Sequence, residues 1–583
     1  MKWSAACLSL LAGWLGTPAA LDAAAASPRI EGSVPSGWHE APFEAALASS
    51  PGTTIRYTTD GSEPTPTHGS VYAGPIRVDT VTVLRATAFA ADATPSHPLL
   101  RTYLFLEQVV NQSATPPGFP ATWGSNPNFP QNRVPADYGM DADPLRTNPR
   151  SATSPIDPVK ARRLRDGLRE LPVLSVALDV ADLFGANGLY PRSLVKQPVL
   201  EKKAAVEMVL PDGTPAFSVT TGLRVHGNAS RQAEKTPKHG FKLAFKRELG
   251  DASLHYRLFP DSPAEKFDDL VLRPDFGVSW LHWANTADES FGAFQRDRAV
   301  RFRDAWLKDT FRAMGHEAGH NRFVHLFLNG LYWGIYDITE QPTDSFAART
   351  FGGAKEDYDV IEQGALVSGT PVAYRALLGL THLEVPANYA KAQELLDVTE
   401  FIDYTLVHFF VGHQDWGTNK NWYAIRRRVD GPEGRFRYFP WDGENILLDE
   451  NVDRVRAGGR DGEGLPSGLH AKLMANADYR RAFAERARLF LATPGGALTA
   501  DANIARWKKW QALLDQPIVA ESARWGDYRR DVHRALTGSF ALYTREEHWL
   551  AENNRVMNSY FVHRGDIVLA QLRAAGLFPP ATR

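Results

Sequence analysis

The chain carries a single cysteine, Cys7, among 583 residues. That residue sits inside an apolar run, Ala5 to Leu15, preceded by the positive charge of Lys2 and followed by small residues from Ala19 to Ala26. This is the layout of a signal peptide. The run falls short of the roughly 20 apolar residues that cross a bilayer. The expectation is a signal peptide over residues 1–26, cleavage near Ala26, and a secreted or periplasmic protein. Cys7 leaves with that segment, so the remaining chain has no thiol for a disulfide, a zinc thiolate site or a cysteine nucleophile. Stability must then come from core burial. Charge of one sign is also missing: 65 Lys and Arg face 67 Asp and Glu. No global field favours nucleic acid or an anionic membrane, and neither is expected as a partner. No later segment is apolar for long enough to form a transmembrane helix. The length exceeds the roughly 250 to 300 residues at which one core usually divides, which predicts two or more domains.

Composition divides the chain after residue 26 into three parts. Residues 27–106 are rich in Thr, Val, Ser and Pro and read as all β. Thr53 to Thr59 alternates and meets the turn Asp60-Gly61-Ser62, and Ile76 to Val78 and Val81 to Ala88 continue the alternation. The string Ile55 to Pro64 with Tyr72 resembles the chitobiase/β-hexosaminidase C-terminal type of sandwich, a fibronectin-like accessory module. That resemblance implies a spacer or a module making weak glycan contact. Residues 107–170 are dense in Pro, Asn, Gly and Asp, which is linker composition. Trp123, Phe129 and Tyr138 within it predict that it lies against a domain surface.

Core-forming composition returns over residues 171–580. Leu174 to Leu178 reads as a buried strand. Val219 to Val225 reads as another, entering the polar loop Arg224 to Arg231. In Lys238 to Lys246, Phe241, Leu243 and Phe245 share one strand face, so Lys242 and Lys246 share the other, which could meet solvent or a phosphate. Arg298 to Met314 has helical spacing, with Gly315 as its stop. Asn329-Gly330 between apolar strands signals a hairpin. A helix from Phe401 to Val411 leads to His413-Gln414-Asp415-Trp416-Gly417-Thr418-Asn419-Lys420-Asn421, and a strand from Arg435 to Phe439 enters Pro440-Trp441-Asp442-Gly443-Glu444.

Gly222 to Asn228 with Lys238 to Phe245, the hairpin from Leu328 to Glu340, and the Asp415 and Asp442 loops together resemble the CotH (spore coat protein H) kinase family. The likeness runs from about Leu174 to Pro579, with Glu521 to Asp527 among its C-terminal landmarks. It implies an α+β architecture: an atypical protein-kinase-like, two-lobed domain with a helical C-terminal part, preceded by the small fibronectin-like sandwich. It also implies phosphoryl transfer from ATP with Mg²⁺ to a protein or glycan acceptor, or another hydroxyl, outside the cytoplasm. Such chemistry depends on positioned charge. By position, the resemblance gives Lys242, or Lys238 as the alternative, to the ATP phosphates. Asp415 becomes the residue that orients or deprotonates the acceptor, and Asp442 with Asn419 or Asn421 becomes the metal-holding set. Arg224 would bind phosphate or pair with a carboxylate. Glu340 would contact nucleotide or cap a turn.

Two other function classes compete. His316-Glu317-Ala318-Gly319-His320 fits the H-E-x-x-H pattern of zinc metallopeptidases, with Glu340 as a third ligand. That pattern needs one helical face, and the glycines around it oppose a helix. A non-enzymatic surface or glycan-binding scaffold is the other alternative.

Overall fold

The computed structural model describes residues 27–126, 129–283, 294–416, 420–457, 465–534 and 540–580. The expected signal peptide lies outside the described residues. The architecture is α+β, with a small β-sandwich preceding a barrel and a helical lobe.

In the sandwich, a five-stranded sheet orders Gly37–Trp38, Leu99–Leu104, Thr82–Phe89, Thr54–Thr58 and Ser70–Val71, faced by the pairs Ile30–Gly32 with Leu47–Ser49 and Phe43–Ala45 with Ile76–Val78. Alternating Ile55, Ile76, Val78, Leu84, Ala86 and Leu99 fill its core. Its outer face docks on the barrel. Val83 and Leu100 pack on Ala177 and Ala205, Thr102 Oγ1 donates to Ser175 Oγ at 2.6 Å and Ser36 Oγ donates to Glu207 Oε2 at 2.7 Å.

The segment expected to be a linker is folded into the larger domain. Trp123 is fully buried. Its indole N–H donates to Tyr138 Oη at 2.9 Å, and its ring packs among Tyr190, Trp333, Trp525 and Tyr528. The helix Pro158–Glu170, capped by the Asp157 carboxylate on Val159 N at 2.8 Å, packs on Ile518–Trp525. Pro and Gly set the backbone path, but a tryptophan and a tyrosine carry enough apolar area to pin it.

A closed barrel orders Val173–Ala177, Lys202–Val209, Pro215–His226, Gly240–Ala244, Asp269–Arg273, Leu331–Thr339 and Asn321–Leu328, closing with a parallel pairing of the last strand on the first. The predicted hairpin is there, with Asn329 and Gly330 both at positive φ. The helix predicted from Arg298 starts at Arg303 instead. Upstream, Arg301 adopts a φ of +74° while its guanidinium reaches Glu521 at 3.0 Å, so a tertiary ion pair overrides helical spacing. His316 and His320 follow this helix in non-helical chain.

Beyond the barrel, an antiparallel sheet orders Ala365–Ser368, Tyr358–Glu362, Trp422–Arg427 and Arg437–Pro440. The helix Val398–Val411 runs through the largest core and is apolar nearly all round, as a buried helix should be. It stops at Gly412, whose φ is +60° and whose missing side chain leaves room for Val452, 2.4 Å from a would-be Cβ. That stop turns the chain toward Asp415.

Candidate active site

A cleft of about 740 Å³ lies between the barrel mouth and the four-stranded sheet. Its size is that of a small-molecule site. The barrel contributes strand ends: His226 closes one strand, Gly240 opens the next in register with it, and Arg273 ends a third. The loop after His226 passes over the opening. Gly227 there has a φ of +108°, and a Cβ would fall 2.1 Å from Ser230 Oγ, so this tight turn admits no side chain.

The far wall follows from antiparallel register. Trp422 pairs with Pro440, so the start of one strand and the end of its neighbour lie side by side. Asn421 and Trp441-Asp442 therefore emerge at the same edge of the sheet, and Asp415 reaches the cleft from the loop before Asn421. Asn421 at φ +67°, Asp442 at +58° and nearby Asp275 at +56° all occupy the left-handed region. Asp and Asn tolerate that region best among residues with side chains, and its concentration around one cleft fits stored strain at a working site.

The carboxylates here are partly tethered. Asp415 Oδ2 accepts from Asn445 Nδ2 at 2.9 Å, and Oδ1 accepts no hydrogen bond among the described residues. Burial raises its pKa, with Asp442 adding to that and Lys420 opposing it. Asp442 Oδ1 accepts from Arg273 at 2.5 Å, and its side chain keeps 40% of its exposure. Glu444 is held by Arg273 at 2.6 Å and by the N–H groups of Phe276 at 3.0 Å and Gly277 at 2.6 Å. Burial, with the Asp442 charge beside it, pushes Glu444 up to about 8. Asp442 and Asn421 offer hard oxygen donors of the kind a small divalent cation shares with phosphate oxygens. Among the described residues, no group of three or more His, Cys, Asp or Glu is arranged to hold a metal ion. A cation bound by one carboxylate, an amide and a ligand's phosphates needs no such group.

The other expected residues lie elsewhere. Lys242 is on the barrel wall, donating to Gln341 Oε1 at 2.8 Å and pairing with Asp269 at 3.1 Å. Lys238 is sealed in, donating to Glu521 at 2.7 and 3.0 Å and to Ile335 O at 2.8 Å. Arg224 pairs with Glu201 at 2.8 Å. Glu340 accepts from His320 Nδ1 at 2.8 Å and from Arg349, and does not line the cleft. Each of these has its charge met by protein partners. The zinc arrangement does not form either: His316 pairs with Asp403 at 2.6 Å, while His320 turns to Glu340. Asn419 lies outside the described residues.

Three cleft residues were not anticipated. Glu444 and Asn445 follow Asp442 directly, so the loop's next two side chains were the available signal. Arg273 had none, since nothing in Asp269 to Pro274 distinguishes it from any strand-end arginine.

Residues 34–99 match the chitobiase/beta-hexosaminidase C-terminal domain. No protein of curated function matches the chain. Among solved structures, the Helicobacter pylori proinflammatory kinase CtkA matches 54% of this chain and 93% of its own length at 12% identity, with a TM-score of 0.20, a value at which residue roles do not transfer. The model of the CotH kinase protein family matches residues 223–370 and 377–565, more than half of the sequence and every cleft wall described above, and the chain belongs to that family.

Proposed function

We propose that this protein is an exported atypical kinase that transfers a phosphoryl group from ATP, with Mg²⁺, to a hydroxyl of a protein or other acceptor outside the cytoplasm. The observation that carries the reading is the convergence of Asp415, Asn421 and Asp442 on one cleft, each with side-chain oxygen left for a ligand. Phosphoryl transfer asks the protein for positioned charge and little covalent chemistry.

Asp415 stands for the group that meets the acceptor. Asn445 fixes one of its oxygens, which leaves the other to accept the hydroxyl proton and aim the oxygen at phosphorus. Its raised pKa, caused by burial, makes it a better base than an exposed aspartate. Asp442 and Asn421 would hold Mg²⁺, which when bound neutralises charge on the phosphates. The Gly227 turn lets the loop backbone come close over the phosphate end of the cleft.

Calorimetric titration of ATP with and without Mg²⁺ tests this. Mg²⁺-dependent binding at one site per chain is expected, lost in Asp442→Ala with the fold retained. A folded wild-type protein that binds no nucleotide in either condition would sink the reading.

A further inference from the structure

The cation expected on the phosphates is missing from the lysines that sequence position favoured. Lys238 spends its amine on Glu521 and Ile335, and Lys242 spends its own on Gln341 and Asp269. Lys196, Lys235 and Lys420 line the cleft at its rim, but Lys196 is engaged with Asn228 at 2.7 Å and Lys235 lies over the Trp283 ring at 4.7 Å. Arg273 is the buried cation whose side chain lines the cleft beside Asp442.

We propose that Arg273 is the phosphate-binding cation of this cleft, set free for that role when a divalent cation takes Asp442; the proposal rests on the ATP reading above. Three features of its geometry carry it. One terminal nitrogen of its guanidinium serves both Asp442 Oδ1 at 2.5 Å and Glu444 Oε1 at 2.6 Å. Its Nε is buried and makes no hydrogen bond, lying 3.7 Å from Asp304 Oδ2. Asp304 is itself met by Lys308 at 2.8 Å and by Gly443 N at 2.8 Å, so its charge does not rest on Arg273 alone. The guanidinium thus holds donors in excess of its partners, beside a cavity that a ligand can enter.

The Asp442 contact also makes metal and phosphate compete for, and then share, the same few ångströms. A cation arriving at Asp442 removes one of the carboxylate partners of Arg273 and leaves its permanently charged guanidinium, still held by Glu444, facing the cleft. A phosphate oxygen is the matching ligand, and a planar fork can take two such oxygens in parallel. The Trp441 ring, 5.3 Å from the guanidinium carbon, backs that plane and limits how it turns. Metal and nucleotide should therefore bind cooperatively, because neither alone completes the exchange of partners.

The test titrates Mg²⁺-ATP and adenosine separately into wild type, Arg273→Lys and Arg273→Met, with folding checked by circular dichroism. Adenosine lacks the phosphates and reports on the rest of the cleft. The expected result is adenosine affinity within a few-fold in all three proteins. ATP affinity should fall about 10- to 100-fold in Arg273→Met, as loss of hydrogen bonds to a charged group implies, and by less in Arg273→Lys. Unchanged ATP affinity in Arg273→Met overturns the proposal and leaves the ATP reading standing. Parallel loss of both ligands in Arg273→Met, with both retained in Arg273→Lys, shows that the charge only holds the carboxylates in place and also overturns it. Should Arg273→Met fail to fold, Arg273→Lys decides: weaker ATP with unchanged adenosine supports the proposal, and unchanged ATP refutes it. A wild type that binds neither ligand refutes the nucleotide site itself.

Discussion

Two clusters of buried opposite charge lie within this domain and behave as opposites. In the first, Lys238 and Glu521 are each 1% exposed, joined at 2.7 Å, with Arg301 adding a second cation at 3.0 Å and Ile335 N–H a further donor at 2.7 Å. Every oxygen of Glu521 is taken. Burial pulls the Lys238 amine down to about 7, while Arg301 and Lys238 outweigh burial and hold Glu521 below its ordinary value. In the second, Arg273, Asp442 and Glu444 meet at 2.5 and 2.6 Å, yet the cluster opens on a cleft and keeps unspent atoms on Arg273, Asp442 and Asp415. Residue type does not separate the clusters. Spare hydrogen-bonding capacity beside a cavity does: the first cluster holds the helix Ile518–Trp525 on the barrel, and the second is the one proposed above to meet a ligand.

The largest expected effect falls on the open cluster and on rate. Asp415→Asn keeps shape and the Asn445 contact but removes the base, so turnover should drop about 10²- to 10⁴-fold while Mg²⁺-ATP affinity moves less than a few-fold. Stability should scarcely change. Wild-type turnover in this variant would reduce Asp415 to a turn residue, and loss of ATP affinity would move it to the metal set.

The sealed cluster predicts the converse. Lys238→Met removes one of two cations from a Glu521 that keeps Arg301 and the Ile335 N–H, so the expected cost is about 1.5 to 3 kcal/mol, that of a lost hydrogen bond to a charged group. Denaturant midpoints should show that loss, and Mg²⁺-ATP affinity of the folded variant should stay within a few-fold of wild type. A variant of normal stability that no longer binds ATP would erase the contrast between the clusters and return Lys238 to the phosphates.

Acid should act on both lobes through histidines outside either cluster. Burial lowers His325 to about 4 in the barrel and His470 to about 3 in the helical part. Their folded pKa values are depressed, so below the ordinary 6.5 the unfolded chain takes up protons that the folded one refuses. Stability is therefore full above about 6.5 and falls as pH drops toward 4, by up to about 1.4 kcal/mol per pH unit for each such group. His470→Gln should lose stability at pH 7.5 yet show an acid slope shallower by one proton. An unchanged slope would mean that His470 titrates alike in both states.

Fold elements were legible where local chemistry and tertiary context agreed. Asn329-Gly330 declared its hairpin, and the alternation from Thr53 to Ala88 declared a sandwich. Asp415 and Asp442 were legible as loop residues after a helix and a strand, because such loops are read from what precedes them. Their meeting was not, since it depends on the Trp422 to Pro440 register, which spans a strand pair. Lys242 and Lys238 were given to the phosphates by position in the family resemblance, and position does not report what waits beside a side chain: Asp269 and Gln341 for one, Glu521 for the other. Residues 107–170 looked like a linker because proline and glycine dominate composition, whereas one buried tryptophan dominates energy.

The smallest expected effect concerns His316 to His320. Metal binding by H-E-x-x-H requires two imidazoles on one helical face with their nitrogens free to ligate. Here His316 Nε2 is 2.6 Å from Asp403, itself also held by Arg486, and His320 Nδ1 is 2.8 Å from Glu340, itself also held by Arg349. The two histidines thus contact separate carboxylates, and each carboxylate already has an arginine. His320→Ala removes one contact from a Glu340 that keeps Arg349 and the His320 backbone N–H at 3.0 Å. The expected stability loss is about 1 kcal/mol, the net worth of one hydrogen bond with its partner still satisfied. Turnover and Mg²⁺-ATP affinity should stay within about twofold, since a loss under 0.4 kcal/mol at the cleft is what that factor represents. Metal analysis of the purified protein should find no stoichiometric zinc. One zinc per chain, lost in His320→Ala together with activity, would replace the proposed kinase cleft with a hydrolytic centre at His316 and His320.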